Sequence, residues 1–441
     1  MRKNLSLGLY NALVTIAQPF LRQKLRRRSK AEPLYGQFIE ERFGQYTKSA
    51  QEDWIWIHAV SLGETKTAAI LLNSLRQTFP GMRLLLTHGT ATGREEGQKL
   101  LQPGDIQVWQ PWDSAKAVRL FYKTFRPQIG LIMETEVWPN LVHFAPQFNV
   151  PLVLVNARMS EKSMNQAMRW PSLMCNAFHG LNAVLAQTES DAQRLIKLSA
   201  NVSGVYGNLK FDAKPDAAQM QLAQHWLSFM STPVVMLASS REGEEALWLQ
   251  AWQDYCQKHP KVQLNWLIVP RHPQRVTEVE ALIQSKGFQV SRRSTWSHDG
   301  PQDSIQAMAS PMGHIFLGDS LGEMALYYSL AKAALLGGSF EKLGGQNLIE
   351  AAACGCPVVM GPHTFNFSEA AMAAESSGAA LRVANMEAAV EAACKLALSN
   401  EHHVDHTNKA KQFALAHGGA TQRTAEAVRD CLSRFKGSAT H

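Results

Sequence analysis

At 441 residues, with 45% hydrophobic and 18% charged side chains, the chain is too long for one ordinary domain and fits two packed globular ones, which excludes disordered and fibrous classes. Its six cysteines lie scattered without C-x-x-C pairs, so a disulfide framework and a thiolate zinc site are set aside in favour of buried thiols in a reduced compartment. The net charge of +7 is concentrated: residues 1–30 hold eight basic side chains and no acid, leaving −1 for the other 411 residues. A nucleic-acid-binding body, with basic residues spread over a face, is therefore excluded.

Residues 5–21, LSLGLYNALVTIAQPFL, are apolar on most helical faces, yet they carry Asn11, Gln18 and Pro19 and fall short of the roughly 20 apolar residues that span a bilayer. No small-x-small cleavage site follows, and the RQKLRRRSK cluster downstream would resist translocation. The reading is an uncleaved membrane-associating helix with a basic clamp on anionic lipid heads and the body in the cytoplasm. The alternatives are a core helix and a cleaved signal.

After a linker-like region to Glu52, apolar runs alternate with helical patterns: strands at 54–60, 84–88, 106–110, 128–133, 152–158, 183–187 and 202–207, with helices at 66–78, from Thr90 to near Leu101, and at 114–125. The polar stretch FDAKPDAAQ breaks this rhythm and puts a domain boundary near residues 210–220. A second series follows, with strands at 233–239, 264–270, 314–319, 333–339 and 357–361, each trailed by a helix. Near-continuous apolar strands separated by helices predict parallel sheets covered on both faces, whose ligands bind beyond the carboxyl ends of the strands. The last helices, from about residue 402, are free to cross back over the first domain.

Those carboxyl ends carry the chemistry. In the first half they read Ser61-Leu-Gly-Glu64, Thr87-His88-Gly89-Thr90, Glu134-Thr-Glu136 and Asn156-Ala-Arg158. Glu64 is a candidate general base, set after a strand beside Gly63, but Ser61-x-x-Glu64 is equally a capping box. Three more such boxes, Ser239-x-x-Glu242, Ser320-x-x-Glu323 and Asn347-x-x-Glu350, keep the capping alternative open. Glu134 and Glu136 lie in no box, and a carboxylate directly after a buried strand is costly without a partner.

In the second half the ends read PRHP with Arg271 and His272, GDSLGE with Gly318, Asp319, Ser320, Gly322 and Glu323, then Gly337-Gly338-Ser339 and Gly344-Gly345-Gln-Asn347 ahead of Glu350. A strand, a glycine loop and a helix favour an anion such as a phosphate, and most such loops alone are only tight turns. Arg271 offers a permanently charged fork and His272 a ring able to donate or stack. No D-x-D pair ends a strand to hold a divalent ion, so helix ends and side chains are expected to stabilise a leaving phosphate, with no metal and no cofactor.

The stretches HAVSLGET, METEVWPNL, VNARMSEKS, GNLKFD, VPRHPQR, GDSLGEM, GGSFEKLGGQN and MGPHTFNF, in this order over nearly the whole chain, closely resemble the 3-deoxy-D-manno-octulosonic acid (Kdo) transferase family. The resemblance implies a GT-B α/β fold of two Rossmann-like, doubly wound domains facing a central cleft. Residues 1–30 would be the membrane-associating segment, 31–213 the acceptor domain and 214–441 the CMP-Kdo domain. The implied activity is inverting, metal-independent transfer of Kdo from CMP-Kdo to a hydroxyl of the lipid A precursor (lipid IVA), at the cytoplasmic face of the inner membrane.

Carried over by motif, Glu64 would be the base, and Glu134 or Glu136 would orient acceptor or donor. Arg271, His272, the GDSLGE and GGS turns, Gly345, Asn347 and Glu350 would hold CMP; Arg158 and Lys162 would meet acceptor phosphates, and Lys210 would join the donor site near the domain junction. One departure is Leu348, where the family often has proline after GGQN; this bears on the rigidity of the cap and not on a ligand contact. The rival readings are a GT-B glycosyltransferase with another nucleotide sugar, a sugar-nucleotide epimerase, and a non-catalytic membrane-docked binding protein in which Glu64 is only a cap.

Overall fold

The computed structural model describes residues 2–47, 52–297, 300–301 and 314–438. The chain divides into two compact units, Met1–Asp212 with Gly419–His441, and Ala213–Gly418.

The first unit opens with helix α1 (Arg2–Arg28) and then alternates β1 (Trp54–His58), α2 (Leu62–Thr78), β2 (Arg83–His88), α3 (Ala91–Gln98), β3 (Ile106–Trp109), α4 (Ala115–Phe125), β4 (Ile129–Met133), α5 (Pro139–Phe144), β5 (Leu152–Ala157), α6 (Glu161–Ala167), α7 (Pro171–His179), β6 (Ala183–Ala186), α8 (Glu189–Lys197) and β7 (Val202–Val205). Among the described residues these strands form a seven-stranded parallel sheet in the order β3-β2-β1-β4-β5-β6-β7. Strands such as WIWIH and IGLIM are buried along their whole length because helices cover both faces. Trp54, Trp56, Phe121 and Phe125 pack one face, and Leu71 and Leu75 of α2 the other.

The chain leaves β1 towards β2 and β3 on one side and returns through β4 on the other. That reversal between β1 and β4 is where an open α/β sheet offers a crevice.

The second unit runs α9 (Ala217–Leu227), β8 (Val234–Ser240), α10 (Glu244–Lys258), β9 (Asn265–Pro270), α11 (Val276–Ser285), β10 (Val290–Arg292), β11 (Ile315–Leu317), α12 (Met324–Leu330), β12 (Ala331–Leu336), α13 (Ile349–Ala353), β13 (Val358–Met360), α14 (Ser368–Ser376), β14 (Ala380–Arg382), α15 (Met386–Leu398) and α16 (Asn400–Ala416). Its sheet, also parallel, has the order β10-β11-β9-β8-β12-β13-β14, so its reversal falls between β8 and β12. The last helix, α17 (Ala420–Ser438), belongs to the first unit, where Ala425 and Val428 join the core under α2.

The predicted strands are all present, most of them a residue or two shorter. Two were not anticipated: β10 and β14, three residues each on the outer edges of the second sheet, too short and too mixed in character to give an apolar run. The region before Glu52 is more than a linker. Two 3₁₀ turns, Pro33–Gly36 and Ile39–Phe43, bury Tyr35, Glu41, Arg42 and Phe43 against the first unit. There Arg94 pairs with Glu41 at 3.1 Å, and the Arg42 guanidinium lies 4.0 Å from the Trp109 ring centroid.

The basic cluster is partly drawn into the same contacts. Arg22 stacks on Phe43 at 3.6 Å and pairs with Glu40, and Arg28 stacks on Tyr35 at 4.0 Å. Lys24, Arg26, Arg27 and Lys30 stay exposed.

Candidate active site

In the first unit the chain turns from β1 into α2, whose first turn carries Glu64. Ser61 accepts the Glu64 amide at 3.3 Å, and Glu64 Oε2 accepts the amide of Val60 at 2.5 Å. The capping box therefore closes on the residue before the cap. Burial pushes Glu64 up to about 7; the Val60 bond opposes that rise, while the charges of Glu134 and Glu136 add to it.

Glu134 directly follows β4 with its backbone in the left-handed region, φ 55°, a conformation that costs a non-glycine residue energy and recurs at functional sites. Its partner comes from far along the chain. Asn156, also left-handed at φ 51°, accepts the Leu209 amide at 3.1 Å and so fixes the turn that presents Lys210, whose Nζ stands 3.8 Å from Glu134 Oε1. Glu136 accepts from the Trp138 indole N–H at 3.1 Å; burial raises its pKa, the indole bond lowers it and the Glu134 charge raises it again.

Beneath this cluster His58 and His88 are buried. Burial above all holds them neutral, pushing His58 down to about 3 and His88 to about 4. Thr87 Oγ1 lies 2.8 Å from both Trp56 Nε1 and His58 Nδ1, which ties β1 to β2 under the reversal point.

The structure thus brings Glu64, Glu134, Glu136 and Lys210 to one sheet edge. Arg158 joins through its backbone, its amide donating to the Glu134 carbonyl at 3.4 Å. Lys162 lies further out, exposed on α6, which buries none of its residues.

In the second unit the corresponding edge is organised by a residue that sequence reasoning passed over. Glu244, in the first turn of α10 and fully buried, accepts from the amides of Arg241 at 2.9 Å, Gly338 at 2.7 Å and Phe340 at 3.1 Å. Burial raises its pKa against those three bonds. Gly337 passes so close to β8 that a Cβ there would meet the Ser239 carbonyl oxygen at 2.3 Å. Ser339 is buried, donating to Leu336 O and accepting the Gly361 amide at 2.8 Å. The Gly345 amide donates to Gly338 O at 2.7 Å. The amides of Gly337, Gly338, Phe340 and Gly345 are therefore engaged within the protein, and Glu244 braces this wall of the loop.

Asp319 accepts from the Ser294 amide at 2.9 Å and from its hydroxyl at 2.5 Å. Ser320 bonds Glu323 and Tyr327, and Glu323 also accepts from Arg293 at 2.9 Å. Gly318 leaves no room for a side chain against Val269 and Tyr327, and Gly322, at φ 84°, takes a hydrogen bond from Gln219 at 2.9 Å on its carbonyl. Arg271 and His272 are exposed just past β9. Asn347 accepts the Ile349 amide at 3.1 Å as α13 begins, and Glu350 stands in the first turn of that helix.

Of the three other boxes, none forms as expected. Ser239 belongs to β8 and Gly243 caps α10; Glu323 is itself the cap residue of α12; and Leu348 is the cap residue of α13.

Residues 37–213 match the model of the family described as 3-deoxy-D-manno-octulosonic-acid transferase (kdotransferase). A protein of Bordetella pertussis named 3-deoxy-D-manno-octulosonic acid transferase is 41% identical over 92% of this chain and 95% of its own length. The chain belongs to the 3-deoxy-D-manno-octulosonic acid transferase family. A Haemophilus influenzae protein of the same name is 30% identical over 96% of this chain and 98% of its own length. The crystal structure of a glycosyltransferase from Rickettsia africae superposes with a TM-score of 0.55 at 13% identity, covering 87% of this chain and 99% of that one. With two parallel-sheet, Rossmann-like units and this neighbour, the α/β, GT-B reading holds, and the chain is a glycosyltransferase that transfers Kdo.

Two features gave only weak signals in the sequence. Glu244 follows an Arg-Glu-Gly turn after a strand, an arrangement that reads as an ordinary acidic first helical turn. The Lys210–Glu134 pair joins residues too distant in sequence for any spacing rule to couple.

Proposed function

We propose that this family member transfers Kdo from CMP-Kdo to a hydroxyl of the lipid A precursor with inversion, using Glu64 as general base. The observation that carries the reading is the half-buried Glu64 carboxylate at the β1/β4 reversal, neighboured by two further carboxylates and raised to about 7. A base near the operating pH combines a useful deprotonated fraction with real affinity for the proton. In the proposed step Glu64 takes the proton of the acceptor hydroxyl, the freed oxygen bonds to the anomeric carbon of Kdo, and the bond from that carbon to the CMP phosphate breaks, its electron pair leaving with CMP.

Glu134, held by Lys210, and Glu136, held by Trp138, orient the sugar hydroxyls. Arg158 and Lys162 supply positive charge for acceptor phosphates. In the second unit Arg271, His272, Asn347 and Glu350 contact CMP, and the GDSLGE and Gly337-Gly338-Ser339 turns shape its pocket, with helix ends in place of a divalent ion at the leaving phosphate.

The same reading puts α1 on the membrane. Leu5, Leu9, Leu13, Ile16 and Phe20 recur at helical spacing and are all exposed, followed by the exposed Lys24, Arg26, Arg27 and Lys30. No described helix is long and apolar enough to cross a membrane. The helix therefore lies in the lipid interface at the cytoplasmic face, its basic end on anionic headgroups.

The deciding experiment compares wild type and Glu64→Gln with CMP-Kdo and lipid IVA, and with UDP-sugars as rival donors. The variant should lose about 100-fold or more in rate, the scale of a lost general base, while still binding CMP. Normal turnover by the variant, or a preference for a UDP-sugar, would overturn the assignment.

A further inference from the structure

An apolar groove of about 280 Å³ runs between α1 and the body of the first unit. Tyr10 and Leu13 of α1 line one side, Leu173 and Met174 of α7 the other, with Trp138 and Trp170 among the lining residues and both exposed to solvent.

The groove is built and is not an accidental gap. The Tyr10 hydroxyl donates to Asp113 Oδ2 at 2.9 Å, and the same buried carboxylate takes the amides of Asn140 at 2.9 Å and Leu141 at 2.8 Å, closing the start of α5. Asn140, with no exposed surface, donates from Nδ2 to Asn11 Oδ1 at 2.7 Å. The helix that forms one wall is thus fastened to the segment that carries Trp138.

Three observations identify the occupant. Leu13 belongs both to the groove and to the exposed apolar stripe of α1, so the two surfaces are continuous. Trp138 lines the groove while its indole N–H holds Glu136, so one wall residue of the groove is bonded directly to the carboxylate cluster. The polar atoms that Tyr10 and Trp138 bring to the walls are engaged with Asp113 and Glu136. A peptide strand or helix end, which needs hydrogen-bond partners, finds none in those two groups; a hydrocarbon chain needs none.

We propose that this groove binds one acyl chain of the lipid acceptor, positioning the sugar end of that molecule at the Glu64 cluster. The inference rests on the acceptor reading given above. It makes acylation a determinant of acceptor recognition, separate from membrane attachment through α1.

The test uses the full chain, CMP-Kdo, and two acceptors, lipid IVA and its fully deacylated, water-soluble counterpart, with the variants Met174→Trp, which fills the groove, and Trp170→Ala, which strips an exposed wall. The readout is the ratio of kcat/KM for the acylated over the deacylated acceptor. It should fall about tenfold or more in each variant, as expected when a few buried methylenes return to water, while sedimentation with anionic vesicles stays as in wild type. Should Met174→Trp not fold, Trp170→Ala at its exposed site carries the comparison. An unchanged ratio, or a fall that tracks lost vesicle binding, overturns the groove while leaving Kdo transfer standing. Failure of the wild type to use either acceptor with CMP-Kdo overturns both.

Discussion

Lys210 Nζ stands 3.8 Å from Glu134 Oε1, and Glu134 is one of the two carboxylates whose charge adds to the rise that burial gives Glu64. Removing the lysine leaves Glu134 uncompensated beside a carboxylate that burial has already raised. Lys210→Gln should therefore move the acid limb of the kcat/KM profile upward by several tenths to about one pH unit, and Glu134→Gln should move it down. Identical profiles for both variants would show that the limb does not belong to Glu64.

Glu64 also has a thermodynamic signature. Its folded pKa, about 7, lies above the ordinary 4.5, so ionising it costs stability that is fully felt above pH 7 and absent below about pH 4.5. Glu64→Gln keeps an acceptor for the Val60 amide and removes that cost. Thermal melts should show a gain on the order of 1–2 kcal/mol at pH 8, allowing for the group's remaining contact with water, and none at pH 4.

Glu244→Gln exchanges a carboxylate that receives three amides for a side chain whose NH₂ faces donors. A loss of about 2–4 kcal/mol is expected from the buried amides left without an acceptor. CMP affinity should fall with it, since the Gly337-Gly338-Ser339 wall loses its brace. Calorimetric titration with CMP, set beside melts of the same preparation, checks both.

The fastening of α1 can be read by proteolysis. Burial pushes Asp113 up to about 6, the bonds from Asn140, Tyr10 and Leu141 holding it back from rising further. Tyr10→Phe removes one bond to this carboxylate and should loosen α1 by about 1–2 kcal/mol, seen as faster tryptic cleavage within residues 22–30 while the sheet stays intact. Unchanged cleavage would mean that α1 is held by its aromatic contacts alone.

The proposed attachment of α1 to membranes should show both of its components. Deleting residues 1–30 should release the protein from anionic vesicles, and Leu9→Asp with Ile16→Asp should do so without touching the basic cluster. Raising salt should weaken binding of the wild type, because each exposed Lys or Arg contributes about 1 kcal/mol at an anionic surface. Binding that survives the deletion would overturn the assignment of attachment to α1.

The sheets were legible in the sequence because runs such as IGLIM and LVLVNA have no alternative to burial on both faces, and their carboxyl ends named the candidate residues. The capping pattern misled at Ser239, Ser320 and Asn347. A four-residue spacing says nothing about where a strand releases the chain, and β8 runs through Ser239 itself. Glu244 and Asp113 were passed over because each serves amides brought to it by tertiary folding, Gly338 and Phe340 in one case and Asn140 and Leu141 in the other. Lys210 was named for the donor site, but its pairing with Glu134 was not, because that depends on the Asn156 side chain seizing the Leu209 amide.

Asp212, where the chain leaves the first unit, accepts the amides of Gly419 and Thr421, where it comes back, each at 2.5 Å. Topologically the second unit is an insertion, and Ala420, Ala425, Val428 and Leu432 complete a core begun at Ile55. During synthesis the inserted unit has its whole sequence available before its host does. The host sheet must wait, with the face of α2 uncovered, for α17 to emerge. A chain that ends short of α17 would join a finished inserted unit to an unfinished host, and quality control would meet that apolar face first.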